Sequence, residues 1–179
     1  MALLTRTRRW LRGLIFHVQW PRMKHEENSD RGDREAKRRR KRGTDLDILI
    51  TKDGRVVNTH WPRPMERDGF RDPYGKLHRD ARVADMTWEE VRRLRAGRWP
   101  RRYRIRSVEH ALDHCARLGL VAVLEPKGDP RFKQDAVWQH IAEVAEQVGC
   151  SVSVRALTEN AGALRPARRA GFQTWEIRG

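Results

Sequence analysis

The sequence predicts an α/β fold that is built from parallel βαβ units. Short apolar runs that suit buried strands alternate along the chain with segments of helical periodicity. These helical segments are about 10–15 residues long, which is the length that a crossover between parallel strands needs. The chain of 179 residues shows no internal repeat and no clear domain boundary, and its length allows one domain or at most two.

The first part of the chain predicts three strands and one polar helix. Residues 14–17 and 45–50 contain apolar runs typical of buried strands, and residues 56–60 resume as a strand after the turn at 52–55. Asn28 or Ser29 can cap a helix over residues 30–42, which Gly43 would end. Because Ala36 is almost its only apolar residue, this segment is either a largely solvated helix or a charged, partly disordered loop.

The rest of the chain predicts a long loop followed by alternating helices and strands. Residues 61–84 hold three prolines and two glycines, and loops longer than about 12–15 residues are usually functional or mobile. Thr87 opens a short helix with a capping box, and Ser107 opens another that Gly119 ends. Further strands are predicted at residues 120–125, 150–157 and 173–177, and further helices at 135–148 and 159–170.

Charge is the most unusual feature of the composition. Against 24 acidic residues the chain has 39 Lys and Arg, which gives a net charge of +15 and an isoelectric point near 11.1. Such a charge favours anionic partners: nucleic acids, acidic lipids or phosphate-bearing small molecules. The six basic residues at 37–42, and the run 98–106 with Trp99 and Tyr103 interleaved, keep nucleic-acid binding open as an alternative function.

Cysteine content and hydropathy argue against several other classes. Cys115 and Cys150 cannot form a disulfide framework, and no zinc-binding spacing is present. No apolar run approaches the roughly 18 residues of a membrane span, and the apolar block at residues 14–16 is too short for a signal peptide. We therefore expect a cytoplasmic protein, with a basic N-terminal tail at residues 1–12 and a single domain at 13–179.

Chemically useful side chains lie on or just after several predicted strands. Asp45 and Asp47 are two residues apart, so on a strand both side chains face the same side. Glu125 ends another strand, and Lys127 follows two residues later. His60 lies where a strand meets the long loop. In one parallel framework these groups would converge at the strand ends, where the carboxylates could bind Mg²⁺ or Ca²⁺.

These residues belong to a run that resembles the core signature of the glycerophosphodiester phosphodiesterases. Residues 45–60 are similar to the family's acid-x-Asp strand, its Thr-Lys-Asp-Gly turn, its Val-rich strand and its catalytic His. Further similar stretches are 83–97, 106–112, the Leu-Glu-Pro-Lys at 124–127 for Leu-Glu-Ile-Lys, and the Glu-Asn-Ser at 27–29 for Glu-Asn-Thr. His17 lies about where the family's first His belongs.

The resemblance implies both a fold and an activity. The fold would be a TIM-barrel-like (β/α) parallel barrel, truncated at its C-terminus, because about six strands are recognisable where a closed barrel needs eight. The activity would be metal-dependent hydrolysis of a glycerophosphodiester to an alcohol and glycerol phosphate. The implied roles are a divalent metal, Mg²⁺ or Ca²⁺, on Asp45, Asp47 and Glu125, acid–base catalysis by His17 and His60, and substrate-phosphate contact from Lys127.

Three departures from the family pattern leave alternatives open. Asp45 stands where the family has Glu, Val18 and Gln19 follow His17 in place of Arg-Gly, and Trp61 replaces the usual Asp. A catalytically degenerate relative that acts as an interaction module is therefore an alternative, beside the basic nucleic-acid-binding protein. Since a shortened barrel would expose an edge strand, we also expect self-association or coverage by the basic N-terminal segment.

Overall fold

The computed structural model describes the backbone of Ile15 and Phe16, and residues 28–96 and 102–177. Within these ranges the strands are β1 Ile15–Phe16, β2 Gly43–Ile50, β3 Val56–Asn58, β4 Arg106–Ser107, β5 Val121–Pro126, β6 Val152–Leu157 and β7 Gln173–Ile177. The α-helices are α1 Asp30–Arg38, α2 Pro64–Arg67, α3 Trp88–Val91, α4 Val108–Leu118, α5 Asp135–Val148 and α6 Leu164–Arg169.

The strands form one sheet in the order β4-β3-β2-β5-β6-β7, with β1 also paired to β2. β1, β2, β5, β6 and β7 are parallel, whereas β3 is antiparallel to both β2 and β4. The described part of the sheet does not return from β7 to β1, so the fold is TIM-barrel-like but not closed. The predicted fold class is confirmed. The structure adds β4, whose two residues are too short for a sequence pattern.

The main core lies between the sheet and the helices on its outer face. Alternate residues of β2, Leu46 and Ile48, point to this core and are fully buried, as is Leu124 of β5. Trp138 and Ile141 of α5 cover them from the helical layer. Because side chains alternate along a strand, the residues between these apolar positions face the inner side of the sheet, away from the helices. The strands therefore place Asp45 and Asp47 on the face opposite the helices.

Gly43 explains how closely β2 and β5 approach one another. A Cβ atom at this position would lie 2.8 Å from the carbonyl oxygen of Val121, closer than real Cβ contacts. Gly43 begins β2 and pairs with Val121 in the β2–β5 register. The same register places Asp47 opposite Glu125. Glycine at this position thus permits the pairing that brings the two carboxylates together.

The polar segment after Ser29 is a helix, which resolves the two alternatives. The Ser29 hydroxyl caps α1 by accepting a hydrogen bond from the Gly32 N–H at 3.1 Å. α1 ends at Arg38, earlier than predicted. It is not largely solvated, because Asp33 and Glu35 are buried together with Ala36. Polar partners rather than apolar packing therefore hold this helix, and a search for apolar periodicity misses them.

The predicted long loop is the least regular part of the described chain. It contains α2 and a 3₁₀ turn at Val83–Asp85, and it packs around a second, smaller core. This core joins Leu49 and Val57 of the β2–β3 hairpin to Phe70 of the loop and to Met86, which directly follows the 3₁₀ turn. The segment is thus an ordered cap on the hairpin. No helix in the described ranges is long and apolar enough to cross a membrane.

Candidate active site

Three carboxylates meet on the inner face of the sheet. Asp45 and Asp47 come from β2 and Glu125 from β5, and one oxygen of each lies within 4.8 Å of the others. All three residues are buried, with 7% or less of their surface exposed. Strand alternation predicted a shared face for Asp45 and Asp47. The observed register of β2 with β5 places Asp47 opposite Glu125 and so completes the group. Three buried carboxylates repel one another, so the site requires nearby positive charge.

Two cations, the half-buried Lys127 and the buried Arg155, supply part of that charge. The Lys127 Nζ lies 2.8 Å from the Asp47 Oδ1 and also pairs with Glu125. The Arg155 guanidinium, from β6, lies 2.7 Å from the Glu125 Oε2 and pairs with Asp45. Although burial lowers the pKa of Lys127, the charges and hydrogen bonds of Asp47 and Glu125 raise it above its usual value. Lys127 is therefore held as a cation beside the carboxylates.

His60 reaches the carboxylates through the antiparallel β2–β3 hairpin. The turn after β2 reverses the chain at Gly54, whose φ of +85° suits glycine, and Ile48 then pairs with Asn58. The Thr59 N–H donates to the Asp47 carbonyl at 3.0 Å. Consequently the His60 Nδ1 lies 3.2 Å from the Asp47 Oδ2. The expectation that His60 ends a parallel strand was wrong, but the hairpin brings it to the same site.

A buried amide pair fixes the orientation of Asp47. The Asn28 side-chain amide donates to the Asp47 Oδ2 at 2.9 Å, and its carbonyl oxygen accepts the Asp47 N–H at 3.0 Å. The Asn58 amide donates to the same Asn28 oxygen at 2.5 Å, and its own oxygen accepts from Arg106. Burial raises the pKa of Asp47, but hydrogen bonding by His60 and the charge of Lys127 lower it below the usual range.

Trp61 supports the His60 ring from the solvent side. The two rings stack with centroids 4.6 Å apart at an interplanar angle of 27°. The Arg67 guanidinium lies over the Trp61 ring at 5.7 Å. On the other side, His60 lines a small cavity of about 30 Å³ with Asn58 and Tyr103. Trp61 is thus a stacking partner of the imidazole at the position where the family pattern has Asp.

The donor set fits a hard divalent cation. Carboxylate oxygens are the ligands that Mg²⁺ and Ca²⁺ prefer, and three of them converge here. Burial raises the pKa of Asp45 well above its usual value, and the charges of Asp47 and Glu125 add to this rise against the opposing effect of Arg155. Since three carboxylates face two cations, Lys127 and Arg155, formal negative charge is in excess at this site. A bound divalent cation would relieve that excess.

The structure brings together five of the six residues that the sequence singled out: Asp45, Asp47, His60, Glu125 and Lys127. His17 lies outside the described residues, so its role stays a prediction. Sequence reasoning missed Arg155, although one signal was available. It is the single charged residue of β6, and its place two residues after Ser153 puts it on the inner face. A lone charge in an otherwise uncharged strand indicates a buried partner.

Comparison with known protein families gives no match for this sequence, and no curated protein is significantly similar to it. Solved structures do resemble it. A glycerophosphodiester phosphodiesterase from Galdieria sulphuraria matches with a TM-score of 0.68 and 20% identity, over 87% of this chain and 60% of that one. A glycerophosphoryl diester phosphodiesterase from Silicibacter pomeroyi matches with a TM-score of 0.65 and 21% identity, over 84% and 59%.

A third similar structure is an Oleispira antarctica phosphodiesterase in complex with the product sn-glycerol-3-phosphate. It matches with a TM-score of 0.63 and 18% identity, over 84% of this chain and 59% of that one. The chain therefore spans about three-fifths of the length of these three neighbours. The resemblance that the sequence motifs predicted is confirmed at the level of the fold. At this sequence identity the similarity shows a shared fold only. Any inference about activity therefore rests on the residues of the candidate site.

Proposed function

We propose that this protein hydrolyses a glycerophosphodiester to an alcohol and glycerol phosphate with the help of a divalent metal ion. One observation carries the proposal. Asp47 contacts His60 through one carboxylate oxygen and Lys127 through the other, and it lies beside Asp45 and Glu125. A single buried carboxylate thus links a proton-transfer group, a phosphate-binding cation and a metal-binding cluster. The fold shared with glycerophosphodiester phosphodiesterases supports the same assignment.

Each residue of the candidate site has a distinct role in the proposed reaction. Asp45, Asp47 and Glu125 would hold the cation, which when bound supplies positive charge to the phosphoryl oxygens. Lys127 contacts a phosphoryl oxygen of the substrate and neutralises part of its charge. Asp47 orients the His60 ring through Nδ1, so proton transfer to or from the substrate is assigned to Nε2.

In the overall reaction water adds to the phosphorus atom and the bond to the leaving alkoxide breaks. Imidazole suits both proton transfers, since its pKa lies close to neutral pH. His60 serves as one of the two acid–base groups, and by resemblance His17 serves as the other. The alkoxide takes up a proton as it leaves, and the second product is glycerol phosphate. The product in the Oleispira antarctica structure belongs to this chemical class.

The decisive experiment measures diester hydrolysis with and without Mg²⁺ or Ca²⁺ for wild type and for His60→Ala. Loss of one positioned acid or base costs about 10²–10⁴-fold in rate, and we expect that loss for His60→Ala with little change in melting temperature. His78→Ala is the matched control, because His78 is exposed and lies outside the candidate site. Retention of more than half the wild-type rate by His60→Ala on every diester that is hydrolysed would contradict the mechanism.

Two alternatives stay predictions. A catalytically degenerate relative would bind no divalent cation and hydrolyse no diester in the same assay. A nucleic-acid-binding protein would show steeply salt-dependent binding of arbitrary DNA or RNA without hydrolysis. Within the basic run at 37–42, Arg38 and Arg39 are already paired with Glu35. Self-association stays a prediction, which light scattering of the purified protein would measure. The basic N-terminal tail at 1–12, the other expected cover of the edge strand, lies outside the described residues.

A further inference from the structure

A second, larger cavity adjoins the candidate active site. It has a volume of about 570 Å³ and lies between the start of α1, the helix α3 and the residues that lead into α4. It shares Tyr103, Arg104 and Ile105 with the small cavity beside His60. The two cavities therefore adjoin along residues 103–105, and His60 lines the smaller one. We call this cavity the arginine cleft.

The lining of the arginine cleft is strongly cationic. Its walls contain six arginines: Arg31, Arg34, Arg92, Arg102, Arg104 and Arg106. Arg106 is neutralised by Asp30 and Asp33, and Arg92 pairs with Glu89. The other four have no carboxylate within salt-bridge distance in the described part of the chain, although the protein has 24 acidic residues in all. One carboxylate, Asp30, lines the cleft beside the six arginines, so positive charge is in excess there.

Like-charge repulsion from the cleft arginines extends to a neighbouring arginine, Arg95. Burial lowers the pKa of the neighbouring Arg95, and the positive charges of Arg104 and Arg102 lower it further. Arginines that repel one another stabilise the fold less than paired ones do, so their clustering requires another reason. A concave surface of one charge sign raises the local concentration of oppositely charged ligands. Guanidinium groups bind phosphate and carboxylate oxygens through two parallel hydrogen bonds.

We propose that the arginine cleft binds the leaving group of the diester, and that this group carries at least one further phosphate. The inference rests on the proposed function, because it places the scissile phosphate at His60 and the second phosphate among the arginines. The cleft volume falls within the range of about 300–1,000 Å³ that is usual for small-molecule sites. Trp88 and Tyr103 supply apolar wall for the carbon skeleton that joins the two phosphates.

The first test is direct binding to the catalytically impaired His60→Ala protein, with metal removed by a chelator. Glycerophosphoinositol and glycerophosphoinositol 4-phosphate differ by one phosphate, and titration calorimetry compares them at fixed ionic strength. We expect the phosphorylated compound to bind at least about tenfold more tightly, the effect of one well-made charged hydrogen-bonding contact. Equal affinities for the two compounds would overturn the proposal.

Charge-matched variants locate the effect. Arg34→Gln/Arg102→Gln removes two cleft arginines that do not line the His60 cavity, and it should abolish the preference for the phosphorylated compound. Arg79→Gln/Arg165→Gln removes two exposed arginines outside the cleft and should retain it. If both double variants lose the preference equally, general surface charge explains the binding and the cleft assignment is wrong.

Turnover separates this inference from the proposed function. Hydrolysis of both diesters with the same kcat/KM would leave the proposed function standing and overturn the cleft assignment. An Arg34- and Arg102-dependent preference in binding, without hydrolysis of either diester, would overturn the proposed function and retain the cleft as a polyphosphate-binding site.

A single-stranded oligonucleotide is the third probe. If it binds through the same two arginines and the diester pair is not distinguished, the ligand is a nucleic acid and the proposal fails.

Discussion

Two clusters of metal-ligand type lie within the described residues, and they differ in how their charges are satisfied. In the first, Asp45, Asp47 and Glu125 face one another across two parallel strands. In the second, Asp30, Asp33 and His114 lie where the start of α1 meets α4. The first set offers a cation carboxylate oxygens alone, whereas the second set offers carboxylate oxygens and an imidazole nitrogen. Their surroundings give them different roles.

In the second cluster, ion pairs and hydrogen bonds hold elements of the fold together. The Asp33 Oδ2 accepts from the Arg106 Nη1 at 2.5 Å, and its Oδ1 accepts from the Thr44 hydroxyl at 3.1 Å. Asp30 also accepts from Arg106, at 2.8 Å. A fully buried guanidinium thus ties α1 to β4. In the first cluster three carboxylates share Lys127 and Arg155, and burial raises the pKa of Asp45, so its ionised form is poorly solvated there. The convergence of three buried carboxylates therefore distinguishes the candidate cation site from the second cluster, in which Arg106 pairs with both aspartates.

The largest expected effect is loss of metal binding from the first cluster alone. Asp47→Asn and Glu125→Gln should each reduce Mg²⁺ or Ca²⁺ affinity by more than the roughly 10–100-fold that loss of an outer partner costs. The fold should persist, because Asn and Gln keep the shape of the side chains that they replace and the apolar core on the opposite face of the sheet is unchanged. Calorimetric titration measures the affinities, with Asp33→Asn as the matched change in the second cluster. Comparable loss in Asp33→Asn, or unchanged affinity in either first-cluster variant, would reverse the comparison.

Stability should depend on the second cluster instead. Asp33→Ala leaves the buried Arg106 without its closest carboxylate, and such a break costs about 3–5 kcal/mol of unfolding free energy. Urea denaturation measures that loss. Asp113→Ala is the control, because its pair with Arg117 is exposed. A loss no larger than the control's would show that Arg106 is held by Asp30 and Asn58 without Asp33.

Sequence patterns predicted much of the first cluster and little of the second. The Asp-x-Asp pair and Glu125 lie on strands whose apolar neighbours fix their direction, so alternation predicts a shared face. The helix limits 135–148 and the strand limits 173–177 agree with α5 and β7 for the same reason of clear periodicity. By contrast, Arg106 contacts partners more than 70 residues away in Asp30 and Asp33. No local pattern predicts such a long-range contact.

The antiparallel hairpin shows a second limit of sequence reasoning. Residues 56–60 have the composition of a strand, but composition does not distinguish parallel from antiparallel pairing. The turn at Gly54 contains the necessary information, since a connection this short permits only an antiparallel return. Likewise, the structure divides the helix that was predicted at 159–170 into a 3₁₀ stretch, Thr158–Ala163, and the α-helix α6. Short 3₁₀ turns are frequent at the ends of α-helices, and sequence patterns do not distinguish the two types. Helix existence was predicted correctly, whereas its type was not.

Arg155 offers a way to sharpen the contrast within the first cluster. Arg155→Met removes one buried cation from beside Asp45 and Glu125, so a bound divalent ion meets less repulsion. We expect Mg²⁺ or Ca²⁺ affinity to rise at least about tenfold, which corresponds to roughly 1.4 kcal/mol. Without metal the variant should be less stable than wild type, since three carboxylates then share Lys127. Weaker metal binding in Arg155→Met would mean that the guanidinium organises the ligands instead of competing with the ion.

The smallest expected effect is a pH dependence of the free energy of unfolding. It comes from the thiol of Cys115, whose pKa is influenced by Asp33 of the second cluster. Cys115 is fully buried, and burial together with the negative charge of Asp33 raises its pKa above the ordinary value. In the unfolded chain a thiol titrates near pH 8.5, so the unfolded state loses its proton first as pH rises. The contribution of Cys115 to the free energy of unfolding is therefore present below about pH 8.5 and is progressively lost above it. Between pH 7 and pH 9 this loss amounts to about 0.8 kcal/mol. Urea denaturation at the two pH values should show a drop in wild type that is smaller by this amount in Cys115→Ala. Identical drops in the two proteins would show that the Cys115 thiol does not contribute to the pH dependence.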